Sequence, residues 1–354
     1  MSHEVSQPQM DLVQQKPVAL TTDFLGHGRP TDTFLNLAAD SGFTNMLWCE
    51  NWDGSYVYTP EEVARIDKLS ASLGLSFTQI HASEGGVDVD PNKSNYGQWV
   101  SPDETERRKG VSLILNRVDM ADELGAKVVT VHAQHHEMPW KGGPQAWQDS
   151  MTRSLAEIQE YIIRNNRNVR IGLENTDWSG QGKFDNFPAI EYALGKFGPE
   201  FLGITYDSGH ANVLSGQIDA LERNAHRLID THLHDNSGDG AAATGQFIIA
   251  PDRKNHDDDM HRTLFTGTVD VVRLANIMAQ GSAPVTSEAS MKYDPELNPR
   301  VWLALEKDNL EAFSRMVEAV RVGAPIDLSL IAERRARVLR GVLVNPVGPA
   351  PKAA

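Results

Sequence analysis

The chain is poor in cysteine and in long apolar runs, and each shortage excludes a class of protein. Cys49 is the one cysteine in 354 residues, which excludes an intrachain disulfide framework and a cysteine-rich zinc finger. No apolar run approaches the roughly 20 residues that a membrane-spanning helix needs, and the N-terminus lacks the apolar stretch of a secretory signal. With an otherwise ordinary globular composition, these absences predict a cytoplasmic protein that has no membrane partner.

Positive charge is also scarce. Lysine and arginine number 33 against 48 aspartates and glutamates, which gives a formal net charge of −15. A chain this acidic is a poor generic binder of nucleic-acid backbones, and it contains no basic run with interleaved aromatic residues. Nucleic acid is therefore disfavoured as a partner, although a local basic groove stays open.

Polar termini flank one continuous body. Residues 1–16 are predicted to form a flexible tail, and residues 17–322 a single domain because no linker-like segment divides them. Residues 323–354 are predicted to form a C-terminal helix and tail. Oligomeric state cannot be predicted from this pattern, so a homo-oligomer and a small second subunit both stay open.

The body alternates between short β-rich runs and stretches with helical period. Strands are predicted at 17–24, 44–50, 75–81, 126–133, 168–175, 202–207, 228–235 and 284–290. Helices are predicted near 31–41, 145–164, 187–196, 217–227, 268–280 and 307–321. Two further helices follow Thr59 and Ser101, each a capping residue with proline next to it, and Gly125 ends the second. Eight strand–helix units favour a single-domain α/β protein with a (β/α)8 TIM barrel, and an open doubly wound sheet is the alternative.

Ionisable side chains lie at the ends of six successive predicted strands. They are His81, His132, Glu174, Asp207 followed by His210, His232 with His234, and Glu288. In a barrel these strand ends meet at one mouth, where active sites of this fold are built. Carboxylates packed together raise one another's pKa values, and a bound divalent cation is the usual means of keeping them ionised. Residue type and spacing therefore predict a metal site at the mouth.

Four segments carry a resemblance to a known family. GLEN (172–175), YDSGHAN (206–212), HLHDN (232–236) and SEAS (287–290) are similar to segments of the xylose isomerase-like TIM barrels, a group that contains sugar isomerases, sugar epimerases and endonuclease IV. The resemblance runs from about residue 17 to residue 322. It implies a divalent metal bound by a Glu, an Asp, a His and a Glu, which here are Glu174, Asp207, His232 and Glu288. Whether His232 or His234 is the ligand stays open, because both face the same side of a strand.

A further segment matches less cleanly. Asp259 and His261 precede a glycine-containing turn, as in many members of the family, and His256 competes with His261 for that assignment. Residues 237–258 form a long insertion between this segment and HLHDN. An insertion of this length is expected to form a lid or a partner surface.

The first function that the resemblance implies is a sugar isomerase or epimerase acting on a small carbohydrate. The oxygen-rich quartet suits Mn²⁺ or Mg²⁺, with Co²⁺ as a further option. Glu174 and Glu288 would remove and return a proton next to a metal-bound carbonyl, through an enediolate, while His210 binds a substrate oxygen. Trp48, Trp52 and Trp178 are expected either to line the sugar or to pack in the barrel. A lyase acting on 3-oxo-glycosides, working with a small second subunit, is a variant of the same chemistry.

The second function is a zinc phosphodiesterase similar to endonuclease IV, acting on abasic DNA. That family holds three Zn²⁺ ions with nine ligands, and the matching residue types here are His81, His132, Glu174, Asp207, His210, His232, Asp259, His261 and Glu288. The net charge, and the acidic stretch that follows His81, weigh against DNA as the substrate. A catalytically silent barrel is disfavoured because the metal quartet is complete.

Overall fold

Eight parallel strands form the frame of the protein. A computed structural model describes residues 16–26, 30–49, 57–82, 98–132, 143–176, 178–179, 182–183, 185–214, 216–238, 259–293, 297–334 and 336. The strands are β1 (Val18–Thr21), β2 (Asn45–Trp48), β3 (Ser76–His81), β4 (Val128–His132), β5 (Arg170–Glu174), β6 (Leu202–Asp207), β7 (Leu228–His232) and β8 (Val285–Ser287). Each one lies within the range that the sequence predicts.

The strands close into a barrel. Their order is β8-β1-β2-β3-β4-β5-β6-β7, with every neighbouring pair parallel. Just beyond β7, the Leu233 amide donates to the Thr286 carbonyl at 2.7 Å, and the Glu288 amide donates to the Leu233 carbonyl at 3.1 Å. These bonds join the last two strands and confirm the barrel over the open sheet.

Helices surround the barrel. They are α1 (Thr31–Asp40), α2 (Pro60–Ser72), α3 (Glu104–Leu124), α4 (Gly143–Arg164), α5 (Phe187–Leu194), α6 (Ser208–Val213), α7 (Gln217–Arg223), α8 (Val271–Met278) and α9 (Pro299–Arg321). A short antiparallel hairpin pairs Trp178–Ser179 with Gly182–Lys183. Further along, residues 328–334 are helical, and Leu330 and Ile331 pack against the core. Within the described ranges, no helix is long and apolar enough to cross a membrane.

Of the three helix ends that the sequence analysis assigned to a capping or stop residue, two are confirmed and one is corrected. Thr59 caps α2 in a reciprocal capping box with Glu62, as predicted. The cap of α3 is Asp103 and not Ser101, because the Asp103 carboxylate accepts from the amides of Thr105 and Glu106. Gly125 ends α3 with a positive φ of 76°, a conformation that glycine adopts without strain.

Candidate metal centre

The barrel delivers its ionisable side chains to one mouth. His81, His132, Glu174, Asp207 and His232 are the last residues of β3 to β7, and Glu288 directly follows β8. Parallel strands in register place these C-terminal ends at the same edge of the barrel. The six side chains named from the strand ends therefore share one volume.

Four of these side chains form the first group. Ligand atoms of Glu174, Asp207, His232 and Glu288 all lie within 4.8 Å of one another. Nδ1 of His232 is 3.0 Å from Oε1 of Glu174 and 3.3 Å from Oε2 of Glu288. Three carboxylates and one imidazole make an oxygen-rich donor set, which suits a hard or borderline divalent cation.

Glu174 also belongs to a second group. Its other oxygen, Oε2, lies 3.2 Å from Nε2 of His81 and 3.2 Å from Nε2 of His132. Nδ1 of His81 lies 2.9 Å from the Ala82 carbonyl, which fixes that ring by a hydrogen bond to the backbone. The Glu174 carboxylate thus presents one oxygen to each of two groups, in the manner of a bridging ligand.

A third group lies beside the first. His210, His234, Asp259 and His261 bring their ligand atoms within 4.8 Å of one another. Nε2 of His261 is 2.9 Å from Oδ2 of Asp259, and the His210 Nε2 atom is 3.4 Å from the same oxygen. The rings of His234 and His261 stack with centroids 3.9 Å apart.

The structure places the two candidate histidines of β7 and its extension in different groups. His232 faces Glu174 and Glu288, whereas Nε2 of His234 lies 2.9 Å from Oδ2 of Asp207 and 3.7 Å from Oδ1 of Asp259. Gly209 makes room for the second ring, because a Cβ at that position would lie 1.8 Å from Cε1 of His234. His232 is therefore the better placed of the two to complete the first group.

The charges around the mouth favour protonated histidines. The protons lie on ring nitrogens to which a cation would otherwise bind. Burial raises the pKa of the Glu174 carboxyl, but the facing charges of His232 and His132 outweigh it and hold that pKa well below its usual range. Burial lowers the pKa of His232, yet Glu174 and Glu288 raise that pKa well above its usual value. The same opposition, with Asp259 as the main carboxylate, raises the pKa of His261 to about 10. Protonated histidines thus balance the buried carboxylates.

The donor atoms fit a divalent cation. Oδ1 of Asp259 is buried, and within the described residues it accepts no hydrogen bond. Ionised carboxylates lie against imidazole nitrogens, and these are the two donor types from which Zn²⁺ and Mn²⁺ sites are built. A cation in any of the three groups would replace protons that the histidines otherwise carry.

A cavity opens above the groups. Its volume is about 210 Å³, and its walls are Asp23, Cys49, His81, His132, Glu174, His210, His261, Glu288, Ser290 and Lys292. Asp23, Cys49, Ser290 and Lys292 are not among the residues that the sequence indicated. Cys49 directly follows β2, and Asp23 lies in the single helical turn after β1, so their position near a strand end was the one available signal.

Of the three tryptophans expected at the mouth, the structure describes the side chain of Trp48 alone. Trp48 is completely buried and packs edge-on against Phe34, Tyr58 and Phe77, so it belongs to the core between barrel and helices and not to the mouth. Trp52, the side chain of Trp178, and residues 239–258 of the insertion with His256 lie outside the described residues.

A supporting amide that the sequence analysis missed orients Asp207. The Asn175 side chain donates to the Asp207 carbonyl at 2.9 Å and accepts from the Asp207 amide at 2.8 Å. Gln217 of α7 accepts from Asn175 in turn, at 2.8 Å. Asn175 directly follows Glu174 within GLEN, so its position beside a site residue was the one signal available. Its role is to lock the ends of β5 and β6 together.

Comparisons with known proteins agree with this architecture. Residues 24–301 match the sequence profile described as "Xylose isomerase-like TIM barrel". An uncharacterized protein of Sinorhizobium fredii, y4fM, is 28% identical over 217 residues, which are 58% of this chain and 68% of that protein. A D-tagatose 3-epimerase-like protein superimposes with a TM-score of 0.65 at 18% identity, over 86% of this chain and 99% of its own. The IOLI protein, solved with a zinc atom bound, superimposes with a TM-score of 0.62 at 12% identity, over 86% and 99%.

Proposed function

The chain belongs to the xylose isomerase-like TIM barrel family, and from that membership we propose that it is a divalent-metal-dependent isomerase or epimerase of a small carbohydrate. The observation that carries the proposal is the convergence of Glu174, Asp207, His232 and Glu288 at the mouth of the barrel. Similarity to a D-tagatose 3-epimerase-like protein supports the same class. Mn²⁺ or Mg²⁺, with Co²⁺ as a third option, suits a set with three carboxylates.

A cation in the quartet would hold sugar oxygens and polarise a carbonyl, which makes the neighbouring C–H acidic. Glu174 and Glu288 reach the cavity from β5 and from the end of β8, on different sides of the barrel. The pKa of each carboxyl is held below its usual range by the histidines, so both are ionised and able to accept a proton. One carboxylate would take the proton from the substrate carbon and later release it to solvent, while the other, after taking up a proton from solvent, would deliver it to the opposite face of the same carbon.

His210 is the proposed contact to a substrate oxygen. It lines the cavity, and its Nδ1 lies 2.9 Å from the Asn175 carbonyl, which fixes the ring and leaves Nε2 toward Asp259 and the mouth. Burial lowers the pKa of His210, but Asp207 and Asp259 raise that pKa well above its usual value. In its charged form the ring donates hydrogen bonds from both nitrogens.

The direct test is exchange of solvent deuterium into a ketose. The metal-loaded protein is incubated in deuterated water with a panel of ketoses and 3-oxo-glycosides, and each sugar is analysed by NMR. Deuterium at the carbon next to the carbonyl is expected for an isomerase or epimerase, and cleavage of a 3-oxo-glycoside would identify the lyase variant. Absence of exchange and of cleavage across the panel would contradict the proposal.

A zinc phosphodiesterase is the second candidate, and the bridging position of Glu174 favours it. The second group shares Glu174 with the first, and the third group adds three histidines and Asp259. Two or three Zn²⁺ ions so placed would suit phosphodiester hydrolysis. Metal content per chain separates the candidates: one Mn or Mg supports the carbohydrate enzyme, whereas two to three Zn lead to an assay on abasic DNA.

Metal binding is expected to strengthen as pH rises. The raised pKa values of His232 and His261 mean that both rings are protonated near neutral pH in the metal-free protein, so a cation must displace those protons. The apparent affinity should therefore increase by up to about tenfold per pH unit for each proton displaced. Calorimetric titration with Mn²⁺ between pH 6 and pH 8, in two buffers of different ionisation enthalpy, measures the apparent affinity and the number of protons displaced. An affinity independent of pH would contradict the protonated arrangement.

A further inference from the structure

A second polar layer lies directly beneath the ring of site residues. Residues two positions apart on a strand face the same side, so each site residue has a partner one step deeper in the barrel. Those partners are Gln79, Thr130, Gly172, Thr205, Asp230 and Thr286. Apolar side chains usually fill the interior of such a barrel, so a polar layer under the site calls for a physical role.

Gln79 is the centre of this layer. Its amide nitrogen lies 2.8 and 2.9 Å from the two carboxylate oxygens of Asp230. Its amide oxygen lies 2.5 Å from Nε2 of His232 and 2.6 Å from Oγ1 of Thr130. The amide adopts this orientation because the reverse would set its oxygen against the Asp230 carboxylate. All four side chains are buried, with exposed fractions of 0 or 1%.

An acceptor at Nε2 determines the state of the His232 ring. The amide oxygen of Gln79 accepts and cannot donate, so Nε2 must carry the hydrogen. In the neutral ring, Nδ1 then has the lone pair, and Nδ1 is the atom that faces Glu174 and Glu288. We propose that Gln79, oriented by Asp230, is the positioning residue that holds His232 in the tautomer whose Nδ1 binds the cation. This inference rests on the proposed metal site.

The remaining members of the layer secure the amide. Oγ1 of Thr130 donates to the Gln79 oxygen and lies 2.8 Å from Oγ1 of Thr205, which supplies its own hydrogen to Thr130. Thr286 donates to Asp230 at 3.1 Å, and the Thr231 amide donates to Asp230 at 2.7 Å. Gly172 leaves the space for Thr205, because a Cβ there would lie 2.1 Å from Oγ1 of Thr205. A metal-binding histidine usually donates its second ring N–H to a carboxylate or a carbonyl. Here the Gln79 amide oxygen accepts that hydrogen bond, and the Asp230 carboxylate holds the amide in place.

Replacement of the amide tests the inference. Gln79→Met keeps the volume but removes the acceptor, so we expect Zn²⁺ affinity, measured by competition with a chromophoric chelator, to fall about 10- to 100-fold. In the Zn²⁺-loaded protein labelled with ¹⁵N-histidine, the Nε2–H signal of His232 should be present in the wild type and lost or exchange-broadened in the variant. The His232 signal is assigned by its absence from a His232→Ala sample.

A charge-conserving exchange provides the rescue. The double variant Gln79→Glu with Asp230→Asn swaps the carboxylate and the amide, so an oxygen again accepts from His232 and an NH2 group again joins positions 79 and 230. We expect this variant to retain the His232 Nε2–H signal and to bind Zn²⁺ within about threefold of wild type. The double variant also provides a test if Gln79→Met does not fold. Loss of the His232 Nε2–H signal in the double variant would overturn the inference.

A matched control separates positioning from general destabilisation. Asn116→Leu removes another amide, a half-buried one on α3 that donates to the Tyr58 carbonyl at 2.8 Å and belongs to none of the three groups, and it should lower the melting temperature without changing Zn²⁺ affinity. Equal Zn²⁺ affinity and an unchanged His232 signal in Gln79→Met would overturn this inference alone. A wild-type protein that binds neither Zn²⁺ nor Mn²⁺ would overturn the proposed function as well.

Discussion

Glu174→Gln is expected to lose bound metal and to lower kcat/KM by about 10³-fold or more. The Glu174 side chain is fully buried, with one oxygen toward His232 and the other toward His81 and His132. The amide keeps the shape of the carboxylate, but it carries no charge and turns an NH2 group toward one of those rings. Substitution therefore removes a metal ligand and a proton acceptor in a single step.

Elemental mass spectrometry of protein purified without added metal measures the first loss, and the exchange assay measures the second. Glu318→Gln is the matched control, because Glu318 is also buried but pairs with Arg321 in the last turn of α9 and belongs to none of the three groups. The control should keep wild-type metal content and rate. A Glu174→Gln protein with the metal content and rate of wild type would remove Glu174 from the site.

The barrel and the strand-end residues were accessible from the sequence because both follow from short-range patterns. Parallel strands that are buried on both faces produce apolar runs, and six of the eight runs carry an ionisable residue at their ends, where a core strand would not. The turn chemistry at Thr59 and Gly125 fixed two helix boundaries. Asp103 displaced Ser101 as a cap because an ionised carboxylate accepts from two amides at a helix N-terminus.

What the sequence did not reveal depends on three-dimensional placement. In the sequence, nothing distinguishes Gln79 and Asp230 from other polar residues of predicted strands. Their contact joins β3 to β7 across the barrel interior. Trp48 is the last residue of its strand, as most of the site residues are, yet its side chain points outward into the helices. The two candidate histidines, His232 and His234, are separated by Leu233, which extends the line of β7 and pairs with Ser287 of β8 where the barrel closes.

The segment around His261 illustrates the same limit. The Asp235 and Arg262 backbones exchange two hydrogen bonds, of 2.7 and 3.0 Å, and the Ser290 amide donates to the His261 carbonyl at 2.8 Å. These bonds fold the segment back over the mouth, which brings Asp259 and His261 to His210 and His234. Motif similarity named Asp259 and His261, but the backbone pairing is what builds the third group.

His232→Ala and His234→Ala are expected to divide the metal content of the protein between two groups. His232→Ala removes the imidazole of the quartet, so the quartet ion should be lost. The affinity of the quartet for the metal should fall by about 100-fold or more. His234→Ala leaves the quartet complete, since His234 faces Asp207 and Asp259 and not Glu288. That variant should retain one ion per chain and lose only an ion bound by the third group.

The comparison is made on protein loaded with Mn²⁺ and, separately, with Zn²⁺, and ions per chain are counted by elemental mass spectrometry. His226→Ala is the control, because His226 lies in the turn before β7 and outside all three groups. Equal losses from both site variants would contradict the separation of the groups.

If wild type and His234→Ala carry the same single ion, the third group serves substrate and not metal, which favours the carbohydrate enzyme. If His234→Ala loses one of several Zn²⁺ ions while keeping the quartet ion, the multinuclear phosphodiesterase becomes the better account, because a sugar carbonyl needs only the quartet.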